Sequence, residues 1–316
     1  MTNGTTPSSA TAKRVVSLIA SATEIVAALG HAHALVGRSH ECDFPRDVER
    51  LPVLTAPRFE VSGTSEEIDG KVRALVDGGL SVYRVDEEAL RALRPDVIVT
   101  QDHCDVCAVS LSDVEAAICA WTEAPARIVS LKPDSLADVY ADIARVADAL
   151  EAITAGKALI AAMKARFAAV AARVMSARRP RVAFIEWSKP LMAGGNWMPT
   201  LIEIAGGENL LGSAGRPSGV TTWDALREAA PEVIVVAPCG FTLAQTVSDV
   251  ALLRAYPGWG DLTAVRAGEV YACDGNSYFN RPGPRLADSA EILAEILHPA
   301  LVPPAHEGTA WRRLAS

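Results

Sequence analysis

The sequence predicts an α/β fold of two similar lobes with mainly parallel sheets, joined by a long rigid helix, with a ligand cleft between the lobes. Three observations predict it. Strand-like and helix-like segments alternate along the chain, which implies parallel sheets covered on both faces. The unit EALRALRPDVIVT at Glu88–Thr100 recurs as DALREAAPEVIVV at Asp224–Val236, with Pro95 matching Pro231 in register. Between the two halves lies Asp134–Arg179, rich in Ala and almost free of Gly and Pro, a composition that favours helix.

The elements follow in order. Residues 1–13 are polar, rich in Ser and Thr, and read as a disordered tail. Arg14–Ile19 is a short β-branched run and therefore a strand. Ser21 or Thr23 would cap the helix that follows, and Gly30 would end it. Ala34–Gly37 is the next strand, leading into the polar loop SHECDFP. Leu51–Gly79 is a longer insertion. Ser81–Val85 is a strand, Asp86–Leu93 a helix with acidic residues in its first turn, and Val97–Thr100 a buried strand. Arg127–Leu131 closes a first lobe spanning 14–133. Residues 134–179 form linking helices, with a break near Gly156. The second helix, Ile153–Ala177, would span ~37 Å at ~1.5 Å per residue and act as a spine. Its charges Lys164, Arg166, Arg173, Arg178 and Arg179 read as a solvated face. The second lobe, 180–316, restarts at Arg181–Ile185 and continues through a helix at Pro199–Ala205.

Bulk properties narrow the function. The 316 residues are 50% hydrophobic and 22% charged, an ordinary globular composition. A net charge of −8 argues against a nucleic-acid partner, which would favour a basic patch. No apolar run approaches the ~20 residues needed to span a bilayer. The N-terminus lacks a charged region followed by an apolar one. The chain as written therefore reads as cytoplasmic, whereas a mature chain whose leader had been removed would read as periplasmic. A monomer is expected. GxSxG, Walker and HExxH patterns are absent, and no carboxylate pair stands out by spacing, so the expected function is non-enzymatic.

Ligands of parallel α/β sheets bind beyond the carboxyl ends of strands. In this chain those ends carry Ala20–Thr23, Ser39–Pro45 and Gln101–Cys107 in the first lobe. In the second they carry Glu186–Pro199, Pro238–Thr242 and Asp274–Arg285. Trp187, Trp197, Phe241, Tyr278 and Phe279 concentrate there, in a chain only 5% aromatic. Such rings suit a bulky, partly apolar ligand, although they would serve equally well in a core. Ser21, Thr23, His40, Cys42 and Arg281 lie in the same loops. So do His103, Cys104, Cys107 and Cys239. Cys104 and Cys107 form a CxxC. With His40, Cys42, His103 or Cys239 they could complete a site for zinc or another soft metal. The same pair could act as a thiol oxidoreductase, or simply line a pocket.

RVVSLIASATEIVAALG, the paired helix–strand units, IEIAGGENLLG and SYFNRPGPR together resemble the periplasmic cobalamin-binding proteins of bacterial transport systems. They also resemble the wider class of siderophore- and haem-binding proteins. The resemblance covers about residues 14–300. It implies a bilobal receptor that closes little around its spine, with cobalamin or a related corrinoid held between aromatic rings. It also implies docking to an ABC permease through one carboxylate on each lobe, here Glu88 and Asp224. Both acids would sit equally well as helix N-terminal residues favoured by the macrodipole.

Overall fold

The computed structural model describes residues 13–78, 81–101 and 126–315. The first lobe comprises β1 (Val15–Ser17), α1 (Ala20–Ala28), β2 (Leu35–Arg38), β3 (Thr55–Pro57), α2 (Ser65–Asp77), β4 (Tyr83–Val85), α3 (Glu87–Ala92), β5 (Val97–Gln101) and β6 (Arg127–Leu131). Four strands form a wholly parallel sheet in the order β2-β1-β5-β6. The Ser81–Val85 strand takes another place: β4 pairs antiparallel with β3 in a small sheet of its own.

Two helices link the lobes, α4 (Leu136–Ala149) and α5 (Ile153–Val174). The second lobe contains β7 (Arg181–Trp187), β8 (Met192–Ala193), α6 (Met198–Ile204), β9 (Glu208–Asn209), β10 (Gly219–Val220), α7 (Trp223–Ala229), β11 (Val233–Val236), α8 (Leu243–Arg254), α9 (Thr263–Arg266), β12 (Val270–Cys273), α10 (Leu286–Leu297) and β13 (Trp311–Arg313). Its central strands β9, β7, β11 and β12 are parallel. Antiparallel pairings extend the sheet at both sides, β7 with β8 and β8 with β10 on one, β12 with β13 on the other.

The two lobes repeat one another in detail. Arg94 and Ala230 hold the matching left-handed position before Pro95 and Pro231, at φ 44° and 42°. Asp86 caps α3 by accepting from the Ala89 amide, as Thr222 caps α7 by accepting from Ala225. Asp96 accepts from the Arg14 amide, and Glu232 from the Arg181 amide. The Arg14 guanidinium donates to Leu93 O and that of Arg181 to Ala229 O. Each half thus uses one arginine and one acid to fix the start of its central strand beside the preceding helix.

The central strands of the two main sheets are buried on both faces, as parallel strands require. In β7, Val182 and Phe184 enter a core that also contains Val15 and Val97 of the first lobe and Phe167 of α5. Ala183 and Ile185 point into a separate core on the opposite face. The spine-side core is therefore continuous through both lobes.

The spine has 22 residues, about 33 Å at 1.5 Å per residue. It packs on α4 of the first half and on α6 and α10 of the second. The helix break lies at Glu151, with φ 59°, rather than at Gly156. Gly156 is inside α5, where a Cβ would stand 2.5 Å from the Ala147 Cβ; it is a close-approach residue. The spine charges are not merely solvated. Arg166 pairs with Asp288 and Glu291, Arg173 donates to Leu301 O, and Arg179 donates to Gly207 O. Arg178 pairs with Glu232, and Lys164 lies over the Tyr140 ring. These contacts hold the spine mainly to the second lobe.

At the N-terminus, Lys13 is tied to Ala149 O and Glu151; the rest of the expected tail lies outside the described residues. Helix α1 begins at Ala20 without a side-chain cap, because Thr23 is turned inward. Gly30, at φ 84°, ends it as expected. The Gly30 and His31 amides bond back to Ala27 O and Val26 O, closing the last turn.

Candidate ligand cleft between the lobes

The carboxyl ends of the first-lobe strands face those of the second across a seam that the chain itself bridges. Glu24 of α1 is 3% exposed. It accepts from Arg285 Nε at 2.9 Å and from Arg281 Nη1 at 3.2 Å, both in the loop leading to α10. Arg281 also pairs with Asp43 and donates to Glu41 O and Asn276 Oδ1, and Asn276 Nδ2 donates to Asp43. Burial opposes the charge on Asp43, yet hydrogen bonds and charge from Arg281 hold its carboxyl below the usual range. Every acceptor of this clamp has a donor, the condition under which a buried ion pair persists.

Next to the clamp, the Ser39–Pro45 loop presents His40. Its Nδ1 lies 2.7 Å from Thr55 Oγ1, which also accepts from the His40 amide at 3.1 Å. Thr55 Oγ1 donates onward to Ser39 Oγ. With Thr55 donating to Ser39, its oxygen accepts from both His40 N–H groups, and in that tautomer Nε2 is the unprotonated nitrogen. Burial, then the Arg38 charge, pushes the imidazole down to about 4, so the ring is neutral at pH 7. It packs against the Tyr83 ring at 5.2 Å. Burial pushes the neighbouring Glu41 up to about 7, against the Arg281 charge and a Tyr83 hydrogen bond.

The expected site residues divide. Trp187 and Tyr278 are half-buried at the seam. Trp187 stands edge-on to Phe241 at 5.4 Å, and its Nε1 has no partner among the described residues. Cys239 is exposed in the neighbouring loop. Trp197, Phe241 and Phe279 are buried instead of lining an open wall. Trp197 Nε1 donates to Phe279 O, and the Phe279 ring packs on Phe184 at 5.6 Å. Their loops fold back on β7 because burying a ring outweighs exposing it. Ser21 is buried beside Gly283 of the opposite lobe. Thr23 is fully buried and donates to Ser17 Oγ and Cys42 Sγ, so it offers nothing to a cleft. Arg281 is spent on the clamp.

The metal-ligand set is likewise divided. His103, Cys104 and Cys107 lie outside the described residues. Among the described residues no three His, Cys, Asp or Glu side chains gather as a metal site. Cys42 is buried and its thiol is pushed up to about 11 by that burial, the opposite of a ligand thiolate. Glu24, Asp43, Thr55, Tyr83, Asn276 and Arg285 are site residues beyond those the sequence singled out. For Asp43 and Arg285 the signal was present in the ECD and NRPGPR loops, where acids and arginines could pair across the lobes; Glu24, Thr55, Tyr83 and Asn276 carry no such local signal.

This architecture, two α/β lobes on one spine with a seam at their strand ends, is that of a solute receptor. The family model for periplasmic binding proteins matches residues 15–276, and the chain belongs to that family. It is therefore a non-enzymatic substrate-binding protein of the kind that serves ABC transporters. Comparison with curated proteins gives no match. Among solved structures, the periplasmic heme-binding protein RhuT from Roseiflexus, in its apo form, superimposes with a TM-score of 0.68 at 24% identity, covering 92% of this chain and 100% of that one. The periplasmic heme-binding protein BhuT, in complex with two hemes, gives 0.66 at 26%, covering 92% and 99%. The periplasmic vitamin B12-binding protein BtuF of Vibrio cholerae gives 0.64 at 18%, covering 91% and 97%. No helix among the described residues is long and apolar enough to cross a membrane.

Proposed function

We propose that the chain holds a metal-centred tetrapyrrole, a corrinoid or a haem, between its lobes and presents it to an ABC importer. The observation that carries this reading is His40. A neutral imidazole with Nδ1 anchored by Thr55 and Nε2 unprotonated is the form that donates to a metal centre, and the anchor sets the ring's orientation. Trp187 and Tyr278 supply flat surfaces for the macrocycle at the same seam. Structural relatives that carry heme or vitamin B12 in their names support the size class of ligand. Glu88 and Asp224 are the proposed permease-docking acids. Both are exposed, one in the first turn of α3 and the other at the matching place in α7. A zinc site built on Cys42 is disfavoured by the burial of its thiol.

The test is an absorbance titration of the purified, reduced chain with haemin, aquocobalamin and cobinamide. A saturable shift at one equivalent is expected with at least one of them. His40→Ala should abolish the coordination band. Thr55→Val, which removes only the anchor, should weaken coordination by about 10–100-fold. If none of the three chelates gives a spectral or calorimetric change, the reading is wrong.

A further inference from the structure

The two edges of the seam differ. We propose that α2 is a gate over the cleft, latched to the second lobe by Asp249 and Lys189, while the Arg281 edge stays shut. The inference stands apart from the identity of the ligand.

Helix α2 belongs to the insertion between β3 and β4, whose two-stranded sheet is not part of the lobe's main sheet. A surface helix ordinarily buries an apolar stripe. Of the 13 residues of α2, only Ser65 and Ile68 are buried, so packing anchors it weakly. Its capping box, Thr64 with Glu67, stabilises the helix itself but ties it to nothing else.

What holds α2 down comes from across the seam. Asp249 of α8 is 2% exposed, and its Oδ1 accepts from the Ser65 amide at 2.8 Å. A carboxylate at the first turn also meets the positive end of the helix. Lys189 pairs with Glu66 at 2.9 Å. Neither contact is robust. Asp249 Oδ2 and Ser65 Oγ have no partner among the described residues, and an unsatisfied buried carboxylate oxygen offsets much of what the latch gains. The Lys189–Glu66 pair is half-exposed and worth little by itself. Around the Lys189–Glu66 pair, one side of α2 faces a solvent-open groove of about 400 Å³ instead of packing on the second lobe. Glu66, Asp69 and Arg73 form one wall, and Leu191, Trp223 and Tyr256 form the other. The opposite edge carries the Glu24–Arg281–Asp43 clamp, buried and satisfied. When the seam loosens, the α2 edge is the one that gives, since it has neither the burial nor the satisfied ion pairs of the clamp.

Hydrogen exchange read by mass spectrometry on the full chain without ligand tests this. In Asp249→Ala and in Lys189→Ala, amides of residues 64–78 should exchange faster, by about tenfold for Asp249→Ala. Segments 41–45 and 276–285 should keep their wild-type rates. Unchanged exchange of α2 in both variants would overturn the gate, as would equal acceleration of the clamp segments. Lys189 is surface-exposed, so the reversal Lys189→Glu, which sets like charges against Glu66, decides the matter by the same readout if Asp249→Ala does not fold. Failure of all three chelates to bind would leave this result standing.

Discussion

His40 and Glu41 are chain neighbours with opposite proton linkage. His40 is held down to about 4 from an ordinary 6.5. The unfolded chain therefore binds the extra proton between pH 4 and 6.5, and that contribution to stability is lost as pH falls through the window. Glu41 is held up to about 7 from 4.5. There the folded chain binds the extra proton, and stability is lost as pH rises from 4.5 to 7. Each effect amounts to roughly 3 kcal/mol before solvent screening. Between pH 4.5 and 6.5 the two should nearly cancel. Urea denaturation across pH 4.5–7 should thus give a shallow profile for the wild type. His40→Gln should expose a fall in stability with rising pH, and Glu41→Gln a rise up to about pH 6.5. Parallel profiles for all three proteins would refute the opposed linkage. At this scale the sequence was only partly legible. The SHECDFP loop marks His40 by its place after a strand. Whether a side chain in such a loop reaches the seam or folds under is decided by contacts with distant elements. Thr23 and Cys42 bond to each other, Trp197 bonds to Phe279 O, and none of that has a local signal.

Among elements, those with strong periodicity were legible and those whose role is set by a partner were not. The paired units at Glu88 and Asp224 stand where the repeat implies, down to the left-handed residue before each proline. The two-residue strands β8, β9 and β10 carry no pattern of their own: β8 and β9 exist because β7 offers them an edge, and β10 because β8 does. Gly156 illustrates the ambiguity: glycine in a helical stretch can mark a break or a close approach. The approach of α4 to α5 makes it the latter. Gly156→Ala would gain about 1 kcal/mol of helix propensity. It would also force a methyl group onto Ala147, and overpacking costs about 1–3 kcal/mol. The clash should win, lowering stability by about 1 kcal/mol. A double-mutant cycle with Ala147→Gly should show a favourable coupling, since removing the opposing methyl relieves it. Gly156→Ala at or above wild-type stability, with no coupling to Ala147→Gly, would mean that the helices shift apart freely.

For the whole molecule, the continuous spine-side core and the clamp make the lobes one body with a fixed relative orientation, in which the matching acids on α3 and α7 hold a constant separation. That is the property a permease needs in order to recognise a receptor by two points at once, one on each lobe. Yet each acid also has a local reason to be where it is, at the positive end of its helix. Asp224 lies 3.7 Å from Arg227, an exposed pair of little energetic weight. Charge reversal separates the two explanations, because a helix loses only about 0.3–1 kcal/mol from an unfavourable first-turn charge, whereas a docking point loses its partner. The chain carrying both Glu88→Arg and Asp224→Arg should bind its chelate as the wild type does, since neither acid lies at the seam. In cells of the source organism it should support no more uptake of labelled chelate than cells lacking the chain, and each single reversal should fall between. Wild-type uptake by the double variant would reduce both acids to helix-end residues and leave recognition to another surface.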